Sequence, residues 1–403
     1  MVAPLEGIKV VEVANWLAAP SCAALMRDMG AEVIKIEPPG GDTWRHTAER
    51  DGRAALPAPT TYAFEMDNRG KRSITVDLSK PGGPQLVRRM VESADVFITN
   101  LIQPRREAFG LTHDELMELN PRLIYVSLSG YGIEGEDAGR AAYDYSAFWT
   151  RSGIMSLLTR PGEPPVVCRS GQGDHATALN LLAATLAALR MRDITGEGQF
   201  TDITLVGTGV WTIGSDVSLA LQTHQQPAPR IRTQPPSPLT NTYQCADGQW
   251  VLMIMNPPDR YWGQFCACFR HPEWQHDPRF DRLASRRENS TTLVELVDAE
   301  FASEPFAYWS QRMDEHGLIW APAQDLPAVV EDPTIRALGT FTKIEDSPIG
   351  PYETLSAPFS IRGADIAVRG PAPLPGEHTQ AILEEYGFDD GEIAELAADG
   401  VFG

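Results

Sequence analysis

The chain has no apolar run near the roughly 20 residues that a membrane span requires, so no transmembrane helix is expected. Cysteine is scarce and odd in number: Cys22, Cys168, Cys245, Cys266 and Cys268. A disulfide framework is thereby excluded, and reduced thiols in the cytoplasm are the expectation. Cys266-Ala267-Cys268 has no second pair to complete a metal site, so no metal is expected and both thiols read as core residues. Positive charge is also in deficit. Lys and Arg total 34 against 54 Asp and Glu, a formal charge of −20, which argues against nucleic acid or an anionic membrane as partner. A small anionic ligand stays open, because local clusters decide that, and two exist: Arg69-Gly70-Lys71-Arg72 and Arg105-Arg106. Met1 to Gly7 lacks the basic and apolar regions of a signal peptide, and neither repeats nor low-complexity tracts are present.

What is present is strand–helix alternation. Ile8–Val13, Glu32–Glu37, Ser73–Val76, Asp95–Thr99, Leu123–Leu128 and Phe200–Leu205 read as strands. Between them lie helices at Pro20–Met29, ended by Gly30, at Pro84–Ser93, and at Thr112–Leu119 with Thr112 as cap. This order predicts a doubly wound, Rossmann-like α/β sheet. At 403 residues there is room for a second domain. Residues 1–222 read as the amino-terminal part of the large domain and the Pro-, Gln- and Arg-rich 223–240 as a linker. Residues 241–320 read as a small α+β domain, with a hairpin turning at Asp247-Gly248. Residues 321–403 then return to complete the large domain.

The stretch of most chemical interest is Gly171-Gln172-Gly173-Asp174-His175, followed by Ala178–Leu189 with hardly a polar residue. A helix apolar nearly all round is expected to be deeply buried. Asp174 at its start is either a helix cap or a carboxylate placed for nucleophilic work. Attack on a thioester would give a mixed anhydride, which keeps the acyl group activated. Gly173 beside it would let a ligand approach, with backbone N–H groups facing a developing oxyanion. Gly171, Gly173 and Ala176 also match the dinucleotide fingerprint. Against an NAD(P) or flavin site, Asp174 would repel a pyrophosphate, and the turn Ala14–Pro20 after the first strand has no glycine. Asp144, flanked by Tyr143 and Tyr145, is a second acid, equally readable as a cap or a site residue. His175 reads as a packed or capping histidine. The two basic clusters read as solvated faces unless they lie at the carboxyl end of the sheet, where open α/β sheets bind ligands.

Eight segments, in order, resemble the class III coenzyme A transferases, which include formyl-CoA and crotonobetainyl-CoA transferases. They are Leu5–Glu12, Gly30–Glu37, Asn68–Ser73, Leu119–Tyr125, Gly130-Tyr131-Gly132, Gly173-Asp174 with its helix, Thr195–Gln199, and Gly376–Thr379. The resemblance implies a covalent mechanism with Asp174 as nucleophile, supported by Gly173, Asp144 and Tyr143. It implies CoA held by Trp16, Leu17, Ala18, Lys71, Arg72, Asn100 and Leu101, with Arg105 and Arg106 nearby. It further implies no permanently bound cofactor, acyl-CoA and carboxylic acid substrates, and an interlocked homodimer. Leu17 and Pro38 replace a glutamine and an arginine of formyl-CoA transferase, which disfavours formate and oxalate. Tyr143–Ala147 and Asn241–Gln244 look closer to transferases of 2-hydroxyacyl, enoyl or dicarboxylic-type acids. The family also contains α-methylacyl-CoA racemases, but Tyr143 stands where those carry a histidine. A phenol with pKa near 10 is a poor proton shuttle at neutrality. A dinucleotide-dependent oxidoreductase and a non-catalytic CoA-binding protein complete the alternatives.

Overall fold

The computed structural model describes residues 1–51 and 60–402. The larger of its two compact units comprises Met1–Leu158, Pro165–Gln225 and Leu338–Gly403. Its centre is a parallel sheet of β1 (Lys9–Val13), β2 (Glu32–Glu37), β3 (Arg72–Thr75), β4 (Val96–Thr99), β5 (Ile124–Ser129) and β6 (Gln199–Thr204). The spatial order is β3-β2-β1-β4-β5-β6. The winding reverses between β1 and β4, which opens a crevice at their carboxyl ends.

Helices α1 (Ala18–Asp28), α2 (Tyr62–Asn68), α3 (Gly82–Val91), α4 (Gln103–Phe109), α5 (His113–Leu119), α6 (Ile154–Leu158) and α7 (Gln172–Thr195) follow in chain order. Period-2 alternation in the strands sorts them between two cores. Val10, Val96, Ile98, Ile124 and Val126 pack with α1 and α7. Val11, Ile34, Phe97 and Tyr125 pack with α3, α5 and the carboxyl-terminal helix Thr379–Glu385. Helix α5 opens on the expected cap: Thr112 and Glu115 bond each other's backbone N–H in a capping box. Helix α1 starts two residues before Pro20, because a first-turn residue has no intrahelical N–H bond to lose.

Helix α7 corrects one expectation. Leu181, Leu182, Ala188 and Leu189 are buried, but Leu179, Met191 and Ile194 are 42%, 47% and 64% exposed. One face packs on α1 and the sheet; the opposite apolar face is left uncovered by the described residues.

The smaller unit comprises Thr159–Pro164 and Gln226–Ala337. A hairpin of Thr240–Gln244 and Trp250–Ile254 takes Trp320–Pro322 as its third strand. Stacked aromatics, among them Tyr243, Phe265, Phe269, Phe301 and Trp309, form its core together with Cys266 and Cys268. Most of the stretch expected as a linker belongs to this unit. Pro235 O accepts the Ser290 hydroxyl at 2.8 Å and Arg232 pairs with Asp298. Proline lacks a donor, but its carbonyl is free to bond a helix. The chain leaves this unit at Ala337, later than residue 320, and Trp320–Pro322 pairs with the hairpin. Among the described residues no helix is long and apolar enough to cross a membrane, and no three His, Cys, Asp or Glu cluster as a metal site.

Candidate active site

The chain enters α7 through Gly171, whose φ of +93° favours glycine, so Asp174 is the third helical residue rather than the cap. The Gly171 N–H at the helix start is not bonded by Asp174. The capping carboxylate comes from 27 residues away. Asp144, 1% exposed, accepts the Gly171 N–H at 2.8 Å on Oδ2. It sits at the start of a short π-helical segment, Tyr145–Arg151. One of the helix-start donors, the Gly171 N–H, is therefore already held by Asp144. Packing requires a glycine at 173: a Cβ there would lie 2.6 Å from the Phe148 ring.

Three carboxylates crowd this helix start. Asp174 is pushed up to about 7, first by burial and then by the charges of Asp144 and Asp67, with His175 opposing. Burial likewise raises Asp144, against the backbone donors that stabilise its charge. His175 Nε2 lies 3.0 Å from Asp67 Oδ1. Asp67 also accepts from the Ser21 hydroxyl at 2.7 Å and the Trp44 indole at 3.1 Å, so it is an acceptor and His175 the donor. His175 thus ties the first turn of α7 to α2, which answers the packed-histidine expectation with a specific partner.

The opposite wall of the pocket is the loop after β1. Asn100, just beyond β4, clamps it: its Oδ1 accepts from Asn15 N at 3.2 Å and its Nδ2 donates to Asn15 O at 2.7 Å. Trp16 N donates to Asp42 at 3.2 Å. Trp16 itself is held at φ +70°, an outlier for a bulky residue and a typical mark of a functional loop. Its ring meets Tyr143 edge-on at 5.3 Å.

Trp16, Leu17, Ala18, Asn100, Leu101, Arg106 and Tyr143 line one pocket with Asp174. Neither Asp144 nor Gly173 lines it, and of the residues expected to hold CoA three do not. Lys71 is buried, and its ammonium is spent on Glu12 Oε2 (2.7 Å), Pro20 O (2.9 Å) and Asn68 Oδ1 (2.8 Å). Arg72 stands at the amino end of β3, away from the crevice, and pairs with Glu385 at 2.6 Å. Arg105 is exposed outside the pocket, while Arg106 turns inward and donates to Leu101 O and the Ser127 hydroxyl. A run of basic residues does not reveal which one the backbone turns inward.

Lys71 belongs to a buried relay. Glu12 bridges Lys71 and Lys35, and Lys35 contacts Asp42 at 3.0 Å, the residue that holds Trp16 N. Burial pushes the Lys71 ammonium down to about 8, with Glu12 opposing. Lys71→Met is expected to destabilise the fold by roughly 3 kcal/mol or more, as losses from broken buried ion pairs do. Urea unfolding checks this; a variant as stable as wild type contradicts the structural role. Asp42, Asp67 and the Asp67–His175 tie carried no sequence signal, because their partners are distant in the chain.

The fingerprint reading fails on geometry. Pro165–Ser170, before α7, contains no strand, whereas a dinucleotide loop requires strand, turn and helix in succession. Fold and site together define a Rossmann-like α/β protein whose crevice presents the Asp174 carboxylate. The model of CoA-transferase family III matches residues 5–379, and the chain belongs to that family. It is accordingly an enzyme, a family III CoA-transferase.

It is 30% identical to a (R)-2-hydroxy-4-methylpentanoate CoA-transferase of Clostridioides difficile, over 96% of this chain and 97% of that one. It is 27% identical to a cinnamoyl-CoA:phenyllactate CoA-transferase of Clostridium sporogenes (98% and 96%). With a mouse succinyl-CoA:glutarate CoA-transferase the identity is 29% (99% and 90%). Among solved structures, a CAIB/BAIF family protein from Brucella suis superposes with a TM-score of 0.84 at 29% identity, covering 96% of this chain and 100% of that one.

Proposed function

We propose that this enzyme moves CoA from an acyl-CoA to a free carboxylic acid of the 2-hydroxyacyl, enoyl or dicarboxylic type, through covalent intermediates on Asp174. The observation that carries this reading is the Asp174 carboxylate itself: in the first turn of α7, raised to about 7 by burial and neighbouring carboxylates, and in one pocket with Trp16–Ala18 and Asn100-Leu101. An ionised fraction exists at neutral pH, and no backbone donor holds it from attack.

In the proposed cycle an Asp174 oxygen attacks the thioester carbonyl, and the C–S bond breaks to give an aspartyl–acyl anhydride and CoA thiolate. The thiolate attacks the aspartyl carbonyl, releasing the donor acid and leaving an aspartyl–CoA thioester. The acceptor carboxylate attacks that carbonyl, forming a second anhydride and freeing the thiolate again. Attack of the thiolate on the acceptor carbonyl forms the new acyl-CoA and restores Asp174. Protons need not be transferred, which suits a pocket whose nearest imidazole is committed to Asp67. CoA is bound as substrate and no cofactor is retained. In this reading Trp16, Leu17, Ala18, Leu101 and Arg106 contact CoA or the acyl group, and Asn100 holds the loop in place.

We further propose a homodimer. The outer face of α7, with Leu179, Met191 and Ile194, and the exposed Trp211, Leu219 and Leu221 nearby in sequence form apolar surface that a second copy would cover.

The test is to incubate the protein with an acyl-CoA, quench with hydroxylamine, and map the adduct by peptide mass spectrometry. A hydroxamate on the Asp174 peptide is expected, and the intact species should carry the mass of two chains. Unmodified protein that nevertheless epimerises the acyl group would replace the transferase reading with the racemase one.

A further inference from the structure

Three consecutive residues of the loop that walls the pocket opposite Asp174 have their backbone held by side chains of other segments. Lys35 of β2 donates from Nζ to Ala14 O at 2.8 Å. Asn100 bonds both the N–H and the carbonyl of Asn15, and Asp42 Oδ1 accepts the Trp16 N–H at 3.2 Å. Lys35 and Asp42 are wholly buried and face each other at 3.0 Å. Neither lines the pocket. The hold has something to oppose. Trp16 sits at φ +70°, which glycine adopts freely and a bulky residue does not, so a released loop would relax.

The same carboxylate reaches the other wall. Asp42 Oδ1 also accepts the Trp44 N–H at 3.0 Å, and the Trp44 indole donates to Asp67 Oδ2 at 3.1 Å. Asp67 in turn accepts from His175, the residue after Asp174. The bonds from Asp42 and Asn100 fix the loop backbone; contacts with the Trp44 and Tyr143 rings then place the Trp16 indole. One buried carboxylate thus connects the loop carrying Trp16, Leu17 and Ala18 to the first turn of α7. The spacing of these two walls sets where a thioester carbonyl lies relative to Asp174. A shift near 1 Å there is worth about a hundredfold in rate.

Resting on the transferase reading, we infer that Asp42, with Lys35 as its counter-ion, is a positioning residue for CoA transfer. It holds the loop Ala14–Ala18 in its strained form, facing Asp174, without touching substrate. The two charges match, so both can be removed together without stranding either, while Glu12 keeps Lys71 as its partner.

The experiment makes Lys35→Met and Asp42→Ala together in the full-length protein, with folding read by circular dichroism. Transfer is measured as kcat/KM from acetyl-CoA or succinyl-CoA to 4-methylpentanoate, 3-phenylpropanoate or glutarate, using the pair that wild type turns over best. The double variant is expected to fold and to lose about a hundredfold. Added to Trp16→Gly, whose loop takes the left-handed form unaided, the same two substitutions should cost less than about tenfold relative to Trp16→Gly alone. A folded double variant that transfers CoA as fast as wild type overturns the inference. An equal loss in the Trp16→Gly chain overturns it too, since that marks a purely structural role. Hydrogen exchange on wild type needs no variant: the Asn15 and Trp16 amides should exchange as slowly as those of β1. Rapid exchange there overturns the inference even where the double variant does not fold. Wild type that transfers CoA from no acyl-CoA donor to any acid overturns the transferase reading instead, and slow exchange at the loop would survive that result.

Discussion

Asp174→Ala is expected to lower CoA transfer at least a thousandfold while the protein stays folded. The expectation follows from the carboxylate's position: it does not bond the Gly171 N–H, so its removal leaves α7 with its Asp144 cap intact. The proposed covalent cycle cannot proceed without that carboxylate. Steady-state transfer and circular dichroism check both halves, and more than a few per cent of wild-type transfer in Asp174→Ala would sink the assignment. The raised pKa adds a pH signature. Only the ionised carboxylate attacks, so wild-type kcat/KM should fall about tenfold per pH unit below about 7.

Stability should move the other way. Below about pH 4 the carboxyl is protonated in both the folded and unfolded chain. Between about 4 and 7 the unfolded chain ionises while the folded one resists, so the folded state loses ground as pH rises. Asp174→Asn, which has no charge to bury, should therefore be more stable than wild type at pH 8, by about 2–4 kcal/mol. The gap should close on approaching pH 4. A nucleophile kept at the cost of stability is what this comparison detects, and equal melting temperatures at pH 8 would argue that Asp174 is solvated.

Gly173→Ala carries the second large expected effect. Helix propensity alone would favour alanine by roughly 1 kcal/mol. Its Cβ, however, would meet Phe148 Cγ, Cδ1 and Cβ at 2.6, 2.7 and 2.8 Å. Phe148 cannot absorb that, because it is buried among packed residues. The first turn of α7 must shift, and overpacking of this kind costs about 1–3 kcal/mol. Asp174 is the next residue, so a displacement near 1 Å should lower transfer about a hundredfold. Phe148→Leu in the same chain should recover much of both losses by removing the ring. Failure of the double variant to recover transfer, with stability restored, would mean that Gly173 is needed for a ligand's approach after all.

Much of this architecture was legible in the chain. The strand–helix alternation defined a doubly wound sheet, and Thr112 with Glu115 announced its capping box, because both signals depend on residues within a few positions of each other. Asp174 could be singled out by the same local patterning and by family resemblance, the loops Trp16–Ala18 and Asn100-Leu101 by family resemblance alone. The assignment of Lys71 could not. Whether a lysine after a glycine turns toward solvent or toward Glu12, 59 residues earlier, depends on which strands are neighbours. Arg105 and Arg106 illustrate the same limit, since adjacent side chains on a helix point about 100° apart and only packing decides which is inward.

The amino-acid sequence by itself determined the class of fold, the family, and the aspartate at the head of a long apolar helix, all properties of local order along the chain. Tertiary structure alone decided what that aspartate is. Asp144 takes the cap, Phe148 requires the glycine, and Asp67 holds the histidine. Burial, with carboxylates from two other segments nearby, raises the pKa of Asp174. Those are effects of distance in space, which the alternation of residues along a chain does not encode.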